Sequence, residues 1–375
     1  MKKNNIVKRS PKGATTRATT DAKAQLTIGL DLGDKTSRFC ELDDHGDTVS
    51  EGSIPTTKKG VQQKFGAMPR CRIALEVGTH SPWISRMLTK LGHEAIVANA
   101  RQVKLISQSS RKDDRMDAHI LARLARVDPE LLRPIRHRSE KAQQDLMIVR
   151  VRATLVEART RMINSARGLT KAMGERLPAC DADSLSRERI TELPLGLQKL
   201  LKPLLAQIES LTEEIQEVDK QLEQIARKEY PETALLRQVH GVGPMIALTF
   251  VLTLEDKSRF EKSRDVGCYV GLRPKRSESG ERQPQLGITK EGDRYLRTLL
   301  VQGAHGVLHK RAPDTDLKRW GMQLAARGGK NAKKRAIVAV ARKLAVLLHR
   351  LWVTGEVYEP LRNSLAKERQ NQAAA

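Results

Sequence analysis

Alternation of apolar and polar positions dominates the first third of the chain. In LTIGLDLG, Leu26, Ile28, Leu30 and Leu32 point one way and Thr27, Gly29, Asp31 and Gly33 the other. This predicts a strand that carries one carboxylate on a face with almost no side-chain bulk. SRFCELDDHGDTVSEGSI reads as two short strands joined at the turn-forming DDHGD, and VQQKFGAM as a short helix. RCRIALEV is a further strand, with Arg72, Ala74 and Glu76 on one face and Ile73, Leu75 and Val77 on the other, so a second carboxylate stands on a sheet. SPWISRMLTKLG predicts a capped helix ending at Gly92, HEAIVANA a strand and DDRMDAHILARLARV an amphipathic helix. Hairpin strands first and α/β alternation afterwards predict a mixed sheet flanked by helices.

The period changes beyond residue 136, where the chain to residue 230 reads as helical apart from LPACDADSLSRERITELPLG. Leu201, Leu204, Ile208, Leu211, Ile215, Val218, Leu222 and Ile225 recur at spacings of three and four, a coiled-coil pattern. A dimer zipper and a hairpin folded back on residues 140–175 satisfy it equally. The earlier helix carries Arg150, Arg152, Arg159, Arg161, Arg167 and Lys171, cations for phosphate contact or for a solvated face. From Thr233 onward a third, mostly helical region begins. There HGVGP separates two helical runs, with Pro244 suited to a first helical position. This helix-hairpin-helix-like element turns backbone N–H groups outward as a phosphate site requires, and a plain helix–helix turn fits as well. The domain plan is therefore a disordered basic tail over 1–24, an α/β domain over 25–132, a helical coiled-coil region over 133–231, a mostly helical domain over 232–360 and a tail over 361–375.

Composition sharpens this picture. Of 375 residues, 68 are Lys or Arg against 44 Asp or Glu, a net charge of +24 that calls for a polyanionic partner, nucleic acid first. Aromatic residues make up only 3%, so phosphate contacts rather than base stacking should carry the binding. Cys40, Cys71, Cys180 and Cys268 are scattered, with neither CxxC pairing nor His at zinc spacing, which argues against a disulfide framework or structural zinc and for a reducing cytoplasm. The opening residues lack a signal-peptide apolar core and no apolar run is long enough to span a bilayer, so no membrane role is expected.

Carboxylates stand in three places that packing does not require: Asp31 and Glu76 on strands, and Asp113, Asp114 and Asp117 at a helix start. Asp114 and Asp117 share a helix face at three apart, Asp113 and Asp117 at four, and spacing does not choose between them. Converging ionised carboxylates repel unless a cation neutralises them. Hard oxygen ligands without His or Cys point to magnesium or manganese, the ions of in-line phosphodiester displacement, and the glycines beside Asp31 would leave room for hydrated metal and a nucleic-acid backbone. IGLDLGDKTS also resembles the first phosphate loop of actin-like and sugar-kinase ATPases, but the later DxG those enzymes need, Asp265 to Gly267, falls in an expected helix.

The succession IGLDLGDKT, ALEVGTH, KDDRMDAHILARL and YVGLRPKRSESGERQPQLGITKEGDRYLRTLLVQGA closely resembles the DEDD-type insertion-sequence transposases, which include the Piv-type DNA invertases, over nearly all of residues 25–355. The resemblance implies a RuvC-like catalytic domain of RNase H-like fold over 25–132 and a C-terminal transposase domain over 232–360 that supplies a nucleophilic serine. The family's acidic tetrad falls on Asp31, Glu76, Asp114 and Asp117, which selects Asp114 over Asp113. Its serine, preceding a glycine in the loop after GLxP, matches Ser279, with Ser277 the nearby competitor. Magnesium or manganese on the tetrad, donor and target DNA, an element-encoded guide RNA, a homo-oligomer (dimer or tetramer) and a nucleoid-associated cytoplasmic setting follow from the same resemblance. So does a site composed from two domains. Arg273, Lys275, Arg276, Arg282 and Lys290 around the serine, and Arg327, Lys330, Lys333, Lys334 and Arg335 at the start of the last helix, are candidate backbone contacts. Cations at a helix start oppose its dipole, so a partner accounts for them better than helix stability does. A Piv-like invertase would use the same residues. A structure-specific RuvC-like endonuclease would use the tetrad and water, and a basic nucleic-acid scaffold neither.

Overall fold

The computed structural model describes residues 26–99, 114–277 and 286–365, with 114 and 115 as backbone only. The chain divides into two compact units at Arg138/Ser139. In the first, β1 (Thr27–Asp31), β2 (Thr36–Leu42) and β3 (Thr48–Pro55) form an antiparallel meander. The Asp43 carboxylate closes the β2–β3 turn by accepting the N–H groups of His45, Gly46 and Asp47 at 2.8–2.9 Å, with Gly46 at φ +90°. Those donors hold the Asp43 carboxyl below its usual range, the Asp47 amide foremost. After α1 (Lys58–Phe65), β4 (Arg72–Glu76) pairs parallel with β1; after α2 (Ser81–Lys90), β5 (Glu94–Ala98) pairs parallel with β4, giving the order β3-β2-β1-β4-β5. The last α-helix of this unit is α3 (Asp114–Val127), followed by a 3-10 turn over Pro129–Leu132.

The two sheet faces differ in bulk, and the difference places the site. Ile28, Leu30, Ile73 and Leu75 face α1 and α2, packing with Val61, Phe65, Ile84 and Leu88 in a core of large side chains. The other face offers Gly29, Cys40, Ala74 and Ala98, and α3 meets it with Ala118, Leu121, Ala122 and Ala125, the i, i+3, i+4, i+7 stripe of an amphipathic helix. Small residues on both sides let the helix backbone settle on the strand. A Cβ at Gly29 would lie 1.9 Å from the Ala118 carbonyl oxygen and 2.6 Å from the Ala122 nitrogen. Gly33 is equally confined, since a Cβ there would meet the Thr36 carbonyl oxygen at 2.2 Å. The expectation that these glycines leave room for metal and nucleic acid is thus corrected: Gly29 makes room for α3 and Gly33 for the tight turn into β2. Gly29→Ala should cost about 3 kcal/mol, because only backbone can give way; denaturant unfolding that leaves the midpoint unchanged would refute this packing.

The second unit opens with two long antiparallel helices, α4 (Glu140–Ala172) and α5 (Leu195–Glu229), in contact along the hairpin. Arg152 of α4 pairs with Asp219 of α5, and seven residues on, Arg159 donates to Thr212. Leu201, Ile208, Ile215 and Leu222 are buried, so half of the heptad pattern is consumed within the chain. Short α6 (Glu232–Leu236), α7 (Pro244–Leu254), α8 (Arg264–Tyr269), α9 (Arg294–Val307), α10 (Asp316–Ala326) and α11 (Ala332–Thr354) enclose the largest core, built around Phe250, Leu300, Leu344 and Leu348. HGVGP is the turn between α6 and α7; Gly241, at φ +86°, lies so near α9 that a Cβ would meet the Gly303 carbonyl oxygen at 2.5 Å. Asp265 to Gly267 lie in α8, so the second phosphate loop of an actin-like ATPase is absent there. No helix among the described residues is long and apolar enough to cross a membrane.

Candidate active site

Parallel pairing puts Leu30 opposite Leu75, so Asp31 and Glu76, one residue further on, finish adjacent strands at the same end of the sheet. Both belong to the face with Gly29 and Ala74, the face α3 covers. The seat of Ala118 on Gly29 brings its neighbour Asp117, in the first turn of α3, to that same end. All three are half-buried, and none is without a partner. Asp114 begins α3; its side chain lies outside the described residues. The donor set is all carboxylate, the chemistry that hard divalent cations take. Among the described residues no three His, Cys, Asp or Glu side chains are gathered closely enough to hold a metal ion, and like charges at one sheet end have reason to stay apart.

The turns leaving β1 and β4 are pinned. Thr56 donates its hydroxyl to the Gly33 carbonyl at 2.9 Å and lies 2.8 Å from Ser37 Oγ. Ser81, fully buried, donates to the Gly78 carbonyl at 2.8 Å and accepts the Gly78 N–H at 3.0 Å. With that hydroxyl proton committed, His137 Nε2 donates to Ser81 Oγ at 2.9 Å, and burial, then Arg86 and Arg138, lower the His137 pKa and keep it neutral. The two turns meet where His80 Nε2 stands 3.7 Å from Asp34 Oδ1. Trp83 Nε1 donates to His80 Nδ1 at 3.1 Å. Neither Asp34 nor His80 stood out in the sequence, where a polar residue after a strand reads as turn chemistry.

In the second unit the loop expected to carry the nucleophile is held at its base. Arg273 and Lys275 on one arm exchange backbone hydrogen bonds with Thr289 and Gly287 on the other, both at 2.9 Å. Arg297 Nη1 spans the arms, donating to the carbonyls of Val270 at 3.0 Å and Glu291 at 2.8 Å. The arms cross closely enough that a Cβ at Gly271 would lie 2.1 Å from the Glu291 oxygen and one at Gly292 2.0 Å from the Tyr269 oxygen. Asp293 caps α9 through the Leu296 N–H at 2.7 Å and pairs with Arg150. Ser277 is exposed; Ser279 and Arg282 lie outside the described residues.

The candidate cations fall into two groups. Arg150, Arg152 and Arg159 pair with Asp293, Asp219 and Asp183, so these arginines of α4 serve the fold, while Arg161, Arg167 and Lys171 are exposed. Arg273, Lys275, Arg276 and Lys290 are exposed beside the loop, as are Arg327, Lys330, Lys333, Lys334 and Arg335 around the start of α11. That start has Asn331 in a left-handed conformation, no side-chain cap and no acidic residue in its first turn.

These features, an acidic sheet end followed by a helical unit with a basic loop, define a class that comparison with known proteins makes specific. A transposase family model of the DEDD, IS110 type matches residues 28–173, and a second, described as the transposase IS116/IS110/IS902 family, matches residues 233–318. A protein of Pseudomonas aeruginosa described as a probable family 20 transposase is 30% identical over 341 residues, 89% of this chain and 98% of that one. The transposase for insertion sequence element IS1111A of Coxiella burnetii is 27% identical over 88% of this chain and 90% of its own, and that for IS1328 of Yersinia enterocolitica 27% identical over 74% and 82%. The chain belongs to the IS116/IS110/IS902 family of transposases.

Proposed function

We propose that the chain is an insertion-sequence transposase that cuts and rejoins DNA, with Asp31, Glu76, Asp114 and Asp117 as the acidic centre of an RNase H-like domain and Ser279 as nucleophile. One observation carries the reading: Asp31, Glu76 and Asp117 come to one end of a sheet ordered β3-β2-β1-β4-β5, where parallel β1 and β4 supply two of them and the helix seated on Gly29 the third. Magnesium or manganese held there would neutralise the carboxylates and stabilise charge on the phosphate. Ser279 attacks phosphorus and keeps the ester, so strands are rejoined without ATP. Arg273, Lys275, Arg276, Arg282 and Lys290 hold the DNA backbone about the loop, and Arg327, Lys330, Lys333, Lys334 and Arg335 hold it at the start of α11.

The net charge of +24 with few aromatic residues supports a second, RNA partner recognised by shape and backbone, a guide that pairs with donor and target. Leu204, Leu211, Val218 and Ile225 recur every seven residues on α5 and stay half-buried after α4 has covered their neighbours, which supports a homo-oligomer formed along that line. The test is excision in bacterial cells that carry the element's ends on a plasmid and receive the chain in trans. Rejoined donor junctions are expected, and purification in high salt should retain a small RNA of one sequence. Absence of junctions defeats the transposase reading, and heterogeneous RNA defeats the guided one.

A further inference from the structure

We propose that His80 is a phosphate-contacting residue of the acidic site, its Nε2–H donating to a non-bridging oxygen of the DNA strand held at the ends of β1 and β4. The inference rests on the reading of that sheet end as the DNA-cleaving centre and adds a residue to it.

A neighbouring donor fixes the tautomer of His80. Indole nitrogen only donates, so the 3.1 Å contact from Trp83 Nε1 makes His80 Nδ1 the acceptor and leaves the ring proton on Nε2. The edge-on ring pair, 88° between planes at 6.2 Å, fixes the imidazole orientation as well. That orientation is inherited from the turn: Ser81, bonded twice to Gly78, fixes the path from Glu76 into α2, and Trp83 packs against the core beneath. Nε2–H is therefore a prepositioned donor, four residues beyond Glu76 and partly exposed, with 29% of the side-chain surface open.

Its present ionic neighbour holds it weakly. Asp34 Oδ1 lies 3.7 Å away, beyond hydrogen-bond range, on a side chain 91% exposed. An exposed pair of this kind contributes little and is readily exchanged. Asp34 lies three residues beyond Asp31, so the contact joins the two turns that issue from the acidic strand ends. A DNA phosphate at that end of the sheet brings oxygens of the same charge and hydrogen-bonding type as the Asp34 carboxylate, and it displaces Asp34 from His80. Carboxylates alone would repel such a phosphate; a donor at the margin of Asp31 and Glu76 offsets part of that repulsion and orients the oxygen.

The experiment uses the full chain in the plasmid excision assay, with the element's own ends as DNA and protein levels and thermal melting followed for every variant. The amide nitrogen of Gln occupies the place of Nε2, whereas that of Asn occupies the place of Nδ1. His80→Ala and His80→Asn should both reduce excision about 10- to 100-fold, the worth of a hydrogen bond to a charged acceptor, while His80→Gln stays within roughly threefold of wild type. Trp83→Phe, which frees the tautomer, should fall between, and Asp34→Asn should be close to wild type. Wild-type excision by His80→Ala, with Asp31→Ala inactive, overturns the role of His80 and leaves the acidic site standing. Full excision by Asp31→Ala overturns the site itself. If His80→Gln is as impaired as His80→Ala, or all His80 variants melt early, the residue is structural and the proposal fails.

Discussion

Replacing Asp31, Glu76, Asp114 or Asp117 singly by Ala should lower strand cleavage by roughly 1,000-fold or more, and chelating divalent cations should reproduce the loss with the wild-type chain. The expected size follows from what the carboxylates do together. Three of them reach the sheet end by different routes, β1, β4 and the first turn of α3, so no one of them substitutes for another. Folding should survive, because the three described side chains are only half-buried and lie outside the apolar cores. Nucleic-acid binding should also survive, since removing a carboxylate lessens repulsion of phosphate. The measurement is cleavage of labelled element ends by purified protein, with melting and filter binding alongside. Wild-type cleavage after any two of these residues are removed would sink the assignment, as would full activity in chelator.

The strands were legible in the sequence because each face keeps its own chemistry: Ile28 and Leu30 against Gly29 and Asp31, Ile73 and Leu75 against Ala74 and Glu76. The same alternation hides what lies above the sheet. Glycine at position 29 reads as space for a ligand, yet the space belongs to the Ala118 carbonyl, and only the paired strip of small residues on α3, Ala118, Ala122 and Ala125, would have disclosed it. That packing brings Asp117 to the sheet end where Asp31 stands, so the glycine bears on the proposed site through the helix rather than through open room.

Charge was harder to read than pattern. Arg150, Arg152 and Arg159 look in sequence like their exposed neighbours Arg161 and Arg167, because their partners Asp293, Asp219 and Asp183 are 24 to 143 residues away. Long-range ion pairs leave no local mark. The cations at the start of α11 were easier, since a Gly-Gly turn followed by Lys333, Lys334 and Arg335 conflicts with the helix dipole wherever it occurs. His80 leaves no mark in the sequence for a third reason: the role proposed for it depends on a Trp donor one helical turn away fixing which nitrogen carries the proton.

A nicked or otherwise non-religatable DNA substrate should leave the chain covalently joined to DNA through Ser279, in an adduct that survives denaturant and maps to the SESG peptide. In the step this records, the Ser279 hydroxyl gives up its proton, Oγ bonds to phosphorus, and the bond from phosphorus to one strand oxygen breaks, releasing a strand hydroxyl that takes up a proton. The ester retains the energy needed to reseal the strand. Ser279→Ala should give neither adduct nor recombinant product, a loss of roughly 1,000-fold or more, and should bind DNA within about threefold of wild type, because the hydroxyl supplies chemistry and little affinity. The described base of the loop is closed by Arg297 and by the crossing at Gly271 and Gly292, remote in sequence from the substituted side chain, so the variant should fold. Water as nucleophile predicts the opposite set: no adduct at any stage and cleavage retained by Ser279→Ala. An adduct mapping to Ser277, with Ser277→Ala inactive, would keep the covalent mechanism and move the nucleophile two residues back in the sequence.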